Sequence, residues 1–274
     1  WVRPERLPMY LRPDEYHQSF NFDFLTTPWG RDAAHAAIDR ATIAAAAVGS
    51  TPTWTLSNHD VMRHATRYGL PNDTDWRAWP LDGPADALDP VAGLRRARAA
   101  TLMLMALPGS IYIYQGEELG LPDVWDLPTH VLDDPVWENS GHTQKGRDGC
   151  RVPIPWSTGG TSYGFGSNGA WLPQPDEYGA LSVEAQTGVP GSTLELYREG
   201  LALRKRHFET DEDLAWVDLG PDVLAFRRGS GVLCILNYGD APVALPPGRV
   251  LLSSDGNDTT SGTLASETCA WIAP

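Results

Sequence analysis

The chain predicts an α/β fold, part of a (β/α) barrel, followed by a small all-β domain. Three observations carry this. Short aromatic or apolar strands alternate with helices up to about residue 210. Polar clusters suited to chemistry stand directly after two of those strands, where barrel enzymes place their working groups. Beyond that point the pattern becomes short strands separated by turn residues.

Gln18–Phe24 alternates aromatic and polar residues at period two and reads as a strand. Arg31–Val48 is an alanine-rich helix stopped by Gly49. Thr53–Leu56 is a second strand and leads into Asn58-His59-Asp60. After a polar, Trp-containing loop, Asp89-Pro90 opens a helix with a capping carboxylate and a proline at its first position. That helix runs to about Leu107 and is apolar on nearly every face at Leu102–Met105, which buries its end. Pro108-Gly109 stops it, and Ser110–Tyr114 is a third strand. Residues 116–191 are rich in Gly, Pro and Trp, a loop of functional length.

Ser192-Thr193-Leu194-Glu195 is a capping box opening a helix to about His207. Leu214–Val217, Val223–Arg228, Val232–Leu236, Arg249–Leu252 and Thr268–Ile272 are the short strands of the second domain. The boundary falls near residue 210, giving domains 1–210 and 211–274. Three strand–helix pairs stand where a closed barrel needs eight, so the first domain reads as the back part of one.

Composition removes several functions. A net charge of -14 argues against a nucleic-acid surface, which needs a basic stripe. The apolar run Leu102–Leu107 is far short of the roughly 20 residues of a membrane span. Three cysteines with no C-x-x-C argue against a disulfide framework and a cysteine zinc site, and free thiols make cytoplasmic residence the expectation.

Asn58-His59-Asp60 has two readings: a turn whose Asn and Asp cap backbone groups, or a hydroxyl-binding site at a strand end. A metal site at His59, Asp60 and His64 lacks the helical H-E-x-x-H spacing. Gly146-Arg147-Asp148-Gly149-Cys150-Arg151 carries two arginines and an aspartate on a glycine-flanked loop. These can fork onto hydroxyls or close an internal ion pair. Glu117-Glu118, just after a strand, reads as a turn with one exposed carboxylate more readily than as an acid/base pair. Gly164–Gly169 matches G-x-G-x-x-G, but no βα unit surrounds it and a dinucleotide site is rejected. Several of the eleven tryptophans lie in loops, which suits sugar-ring stacking as well as core packing.

In order along the chain, Phe20-Asn21-Phe22-Asp23-Phe24, Asn58-His59-Asp60-x-x-Arg63, Ile111-Tyr112-Ile113-Tyr114-Gln115-Gly116-Glu117-Glu118, Gly146–Pro153 and Trp171-Leu172-Pro173 resemble one family. It is the α-glucosidase and oligo-1,6-glucosidase branch of glycoside hydrolase family 13. The resemblance implies a (β/α)8 TIM barrel, of which strands six to eight are present here, followed by a small antiparallel β-sandwich domain. It also implies retaining hydrolysis of α-linked glucose from short oligosaccharides, with no cofactor. Retention needs two carboxyl groups roughly 5 Å apart, and the family adds a third that grips sugar hydroxyls.

On this resemblance Asp60 is the third, catalytic carboxylate, at the end of strand seven. His59 hydrogen-bonds the same sugar, Arg147 holds the ring at the blind end of the pocket, and Arg63 lines the neighbouring subsite. Trp1 resembles the tryptophan of the family's Glu-x-Trp segment, placing the acid/base glutamate and the nucleophile upstream. The expectation is a C-terminal portion with two open barrel edges, inactive alone and needing the N-terminal barrel half as partner. Two alternatives stand beside hydrolysis. One is a transglycosylating relative of the sucrose isomerase or trehalose synthase type. The other is a non-catalytic relative like the heavy-chain subunits of amino-acid transporters.

Overall fold

The computed structural model describes residues 4–208, 213–256 and 262–274. The expected boundary near residue 210 therefore lies outside the described residues. In chain order come α1 (Phe22–Leu25), α2 (Arg31–Ala46), β1 (Thr53–Thr55), α3 (His64–Arg67), α4 (Trp79–Asp82), α5 (Pro90–Ala106) and β2 (Ser110–Tyr112). Then follow α6 (Val136–Asn139), α7 (Val183–Gln186), α8 (Thr193–Phe208), β3 (Leu214–Val217), β4 (Val223–Arg228) and β5 (Leu233–Asn237). The last strands are β6 (Val243–Ala244), β7 (Arg249–Ser253), β8 (Thr263–Leu264) and β9 (Cys269–Ala273). Two compact units result: Ser57–Ala97 with Ile113–Tyr197, and Trp1–Leu56 with Arg98–Tyr112 and Arg198–Pro274.

In the second of these units, β1 and β2 pair in parallel, Trp54 opposite Ile111, and α5 lies between them in sequence as a βαβ crossover requires. Asp89 Oδ1 accepts the amides of Val91 and Ala92, the expected cap of α5. The end of that helix, Leu102 to Leu107, is buried throughout, as its all-round apolar pattern predicts. Trp54 is fully buried, donates its indole N–H to the Pro108 carbonyl and meets Phe24 edge-on at 5.0 Å.

Gln18–Phe24 is not a strand. Asn21 Oδ1 accepts the amide of Phe24 at 3.1 Å and caps the helical turn α1, so the backbone is satisfied locally and not by a ladder. The Ser19 carbonyl is taken by the Thr53 hydroxyl. The aromatic alternation instead sends Phe24 inward against Trp54 and leaves Phe20 against Tyr112 at the surface. The capping box of α8 is half formed: Ser192 Oγ accepts the Glu195 amide, but the Glu195 carboxylate turns to the Gly188 amide.

The C-terminal strands form a five-stranded antiparallel sheet in the order β3-β4-β5-β9-β7, with β6 and β8 as a separate two-stranded ladder. One face carries Val223, Ala225, Leu233, Ile235, Ala270 and Ile272 packed with Leu264 of β8. The opposite face carries Trp271, whose indole donates to the Leu102 carbonyl at 3.1 Å and whose ring meets Phe208. Cys234, Cys269 and Cys150 are free and buried. Among the described residues no helix is long and apolar enough to cross a membrane.

Candidate active site

Asn58-His59-Asp60 lies three residues beyond β1 and forms the turn of the first reading. Asn58 Oδ1 accepts the Asp60 amide at 2.8 Å, closing a local turn. That turn presents the Asp60 carboxylate to Arg147, whose Nη1 donates to Oδ1 at 2.7 Å. His59 Nε2 stands 3.6 Å from Asp60 Oδ2, with the imidazole side chain 69% exposed. Arg151 donates its Nε–H to the His59 carbonyl and brings Nη2 to 3.6 Å from Asp60 Oδ1.

Arg147 is held from behind by Asp134. Nε donates to Oδ2 at 2.6 Å, Nη2 to Oδ1 at 3.0 Å, and the Arg147 backbone amide to Oδ2 at 2.8 Å. Burial pushes the Asp134 carboxyl up. The Arg147 side-chain bonds, the amides of Val136 and Arg147 and the guanidinium charge outweigh it and bring the group down to about 2. The two glycines of Gly-Arg-Asp-Gly have steric causes. A Cβ on Gly146, which sits at φ +81°, would stand 2.9 Å from Asp134 Oδ2, and one on Gly149 would stand 2.1 Å from Asp123 Oδ1. Asp148 faces away from the pocket and accepts the amides of Asp133 and Asp134 with one oxygen.

Asp60 and Arg147 line a pocket of about 140 Å³ together with Met62, Trp76, Gln144 and Asp123. That is small beside the about 300–1,000 Å³ of drug-sized sites and suits one ring-sized group. Its wall mixes apolar side chains with two carboxyl groups, Asp60 and Asp123, and two guanidiniums, Arg77 and Arg147. Asp123 is buried, and burial pushes its carboxyl up to about 6 against the Arg63 amide and charge.

Arg63 does not face the pocket. It is 1% exposed, and its Nη1 and Nη2 donate to the carbonyls of Gln115 and Cys150 at 2.7 and 3.0 Å. Its backbone amide donates to Asp123 Oδ2, and its guanidinium lies 5.0 Å from the Tyr114 ring centre. The expected subsite residue is thus a buried tie outside the pocket lining, joining segments 52 to 87 positions away in sequence.

The adjacent acids divide. Glu118 accepts the Gly116 amide within its turn, whereas Glu117 is buried with Oε1 lacking a hydrogen-bond partner and 3.9 Å from His64 Nδ1. Burial and the charges of Arg67 and Arg63 lower the His64 ring to about 3, and its Nδ1 meets Ser57 Oγ at 2.8 Å. Burial pushes the Glu117 carboxyl up to about 8 despite the Arg63 charge. The folded chain therefore keeps a proton that the unfolded chain releases, and this group costs stability as pH rises from about 4.5 to 8. Glu117→Gln removes that dependence. Urea midpoints at pH 5 and pH 8 should show the variant gaining on the wild type as pH rises. A pH-independent difference would mean the carboxyl titrates as in the unfolded chain.

Gly164–Gly169 lies in a loop segment without a strand, consistent with rejecting a dinucleotide site. Among the described residues no group of three or more His, Cys, Asp or Glu side chains is arranged to hold a metal ion. Asp134 and Asp123 escape the sequence reading. The available signal is Asp133-Asp134-Pro135, a turn-forming acidic pair thirteen positions before Arg147.

Comparison with known proteins bears on this arrangement. Residues 5–213 match the family model described as "Alpha amylase, catalytic domain". A probable alpha-glucosidase of Rhizobium meliloti (strain 1021) is 32% identical over 231 residues, 83% of this chain and 38% of that protein. The chain thus spans well under half the length of that curated relative. A solved alpha-glucosyl transfer enzyme superposes with a TM-score of 0.75 at 30% identity, over 99% of this chain and 49% of its own. The trehalulose synthase of Pseudomonas mesoacidophila MX-45 gives a TM-score of 0.77 at 19% identity, over 99% of this chain and 53% of its own, a likeness of fold. With its family segments in register and the catalytic-domain model matched over most of its length, the chain belongs to the alpha-amylase family, glycoside hydrolase family 13.

Proposed function

We propose that the protein carrying this chain is a retaining, exo-acting α-glucosidase that removes terminal α-linked glucose from short oligosaccharides. The observation that carries this reading is the Arg147–Asp60 pair at 2.7 Å on the wall of a ring-sized pocket. Asp60 is the transition-state stabiliser, Arg147 grips the ring's hydroxyls at the closed end, and exposed His59 hydrogen-bonds the same sugar. Arg63 serves the site from outside the pocket lining by holding the segments that carry Gln115, Cys150 and Asp123. The partners are α-glucoside substrates, and buried free cysteines support a cytoplasmic setting.

On this reading β1 and β2 are barrel strands seven and eight, the segment before α2 takes the place of strand six, and the C-terminal strands make a β-sandwich. Domains 1–210 and 211–274 follow from it. The pocket's acids are Asp60 and Asp123, and Asp123 Oδ2 accepts the Arg63 amide, so no proton donor or nucleophile is assigned among the described residues. Purified 1–274 should therefore release no glucose from an aryl α-glucoside. Turnover at enzymatic rates by that polypeptide would overturn this assignment. Transglycosylation is the second reading, favoured by the 30% identical alpha-glucosyl transfer enzyme. Product analysis of the active protein on maltose decides: glucose alone marks hydrolysis, and new disaccharides mark transfer.

A further inference from the structure

We infer that Asp134 is a positioning residue that pre-forms the Arg147 guanidinium for Asp60, an inference that deepens the proposed sugar site and rests on it for its consequence in binding. The argument is a count of donors and acceptors. A carboxylate offers about four lone-pair sites. Asp134 uses four: Oδ2 accepts the Arg147 backbone amide and Nε, and Oδ1 accepts Arg147 Nη2 and the Val136 amide at 3.1 Å. Its side chain is 0% exposed. Asp134 therefore has nothing left for a ligand and does not touch substrate.

Arg147 differs. Its guanidinium has five N–H donors. Two go to Asp134 and one to Asp60, so two N–H groups remain for a ligand. Because the fork on Asp134 is bidentate, it fixes the guanidinium plane, and the Nη1 bond to Asp60 and the two spare donors acquire set directions. Asp134 is itself held by its neighbours. Asp148 Oδ2 accepts the amides of both Asp133 and Asp134, and Gly146 leaves the space that Asp134 Oδ2 occupies. The loop 133–148 is thus a bracket whose product is the orientation of one side chain. Without it, a long flexible side chain would have to be ordered each time a ligand binds.

The test uses the whole chain, with arginine side-chain Nε–H resonances read by NMR and the Arg147 signal assigned from Arg147→Lys. In the wild type this signal should be shifted downfield and protected from solvent exchange. In Asp134→Asn, which keeps shape and loses charge, it should collapse toward the exposed-arginine position, and Asp134→Glu should restore part of the shift. Dispersed methyl resonances report that each variant is folded, and Asp134→Glu carries the test if Asp134→Asn is not. Glucose titrated into the same samples should bind Asp134→Asn about tenfold more weakly than wild type. An unchanged Arg147 signal in Asp134→Asn would overturn the inference, as would a collapsed signal with unchanged glucose affinity. If wild type does not bind glucose at all, the sugar-site reading fails, and the Nε–H signal alone decides whether Asp134 positions Arg147.

Discussion

Asp60→Asn should lower kcat of the active protein by about 10²–10³-fold on an aryl α-glucoside, with KM changed far less. The substitution keeps the shape of the side chain, and its amide oxygen can still accept the Arg147 Nη1 hydrogen that Oδ1 accepts at 2.7 Å. Charge is what disappears. Glycoside cleavage builds positive character on the sugar ring as the leaving oxygen departs, and a fixed carboxylate is worth more to that state than to the neutral ground state. Asp60 meets the requirement structurally: its turn is closed by Asn58, and Arg147 fixes its carboxylate, so little reorganisation is needed when charge develops. Turnover near wild type in Asp60→Asn would remove this residue from the mechanism. A rise in KM with kcat unchanged would make it a ground-state binder.

Arg63→Ala should destabilise the chain by about 3–5 kcal/mol, the cost of losing two charge-assisted bonds to the Gln115 and Cys150 carbonyls and of leaving a cavity where a long buried side chain stood. At about 2–4 °C per kcal/mol for a chain of this size class, the melting point should fall by about 6–20 °C in circular dichroism. Arg63→Lys should recover only part of this, because a point-like ammonium lacks the rigid fork that reaches both the Gln115 and Cys150 carbonyls. The loss should appear in stability, while the bond that holds Asp123 on the pocket wall should survive, because it is made by the residue-63 backbone amide that the substitution keeps. A melting point within about 2 °C of wild type in Arg63→Ala would show that these bonds contribute little net of the cost of burying the charge.

The sequence by itself determined the elements whose causes are local. Asp89-Pro90 carries its own cap and fixed φ, and the apolar run Leu102–Leu107 can only be buried, so α5 is legible from composition and spacing. The short strands β3, β4, β5, β7 and β9, set off by turn residues, are legible for the same reason. His59, Asp60 and Arg147 could be named from residue type and motif order. What they touch could not, because the Arg147–Asp60 bond joins residues 87 positions apart. Gln18–Phe24 shows the limit from the other side: period-two alternation cannot distinguish a ladder from an Asn-capped turn that sends Phe24 into the core.

Only the tertiary structure decided that Arg63 is buried outside the pocket lining and that Asp134, an acid with no motif of its own, spends its acceptor sites on Arg147 and the Val136 amide. Burial, pairing and pKa belong to the neighbours that folding supplies. Of two adjacent glutamates, it therefore placed Glu117 in the interior and left Glu118 to its turn.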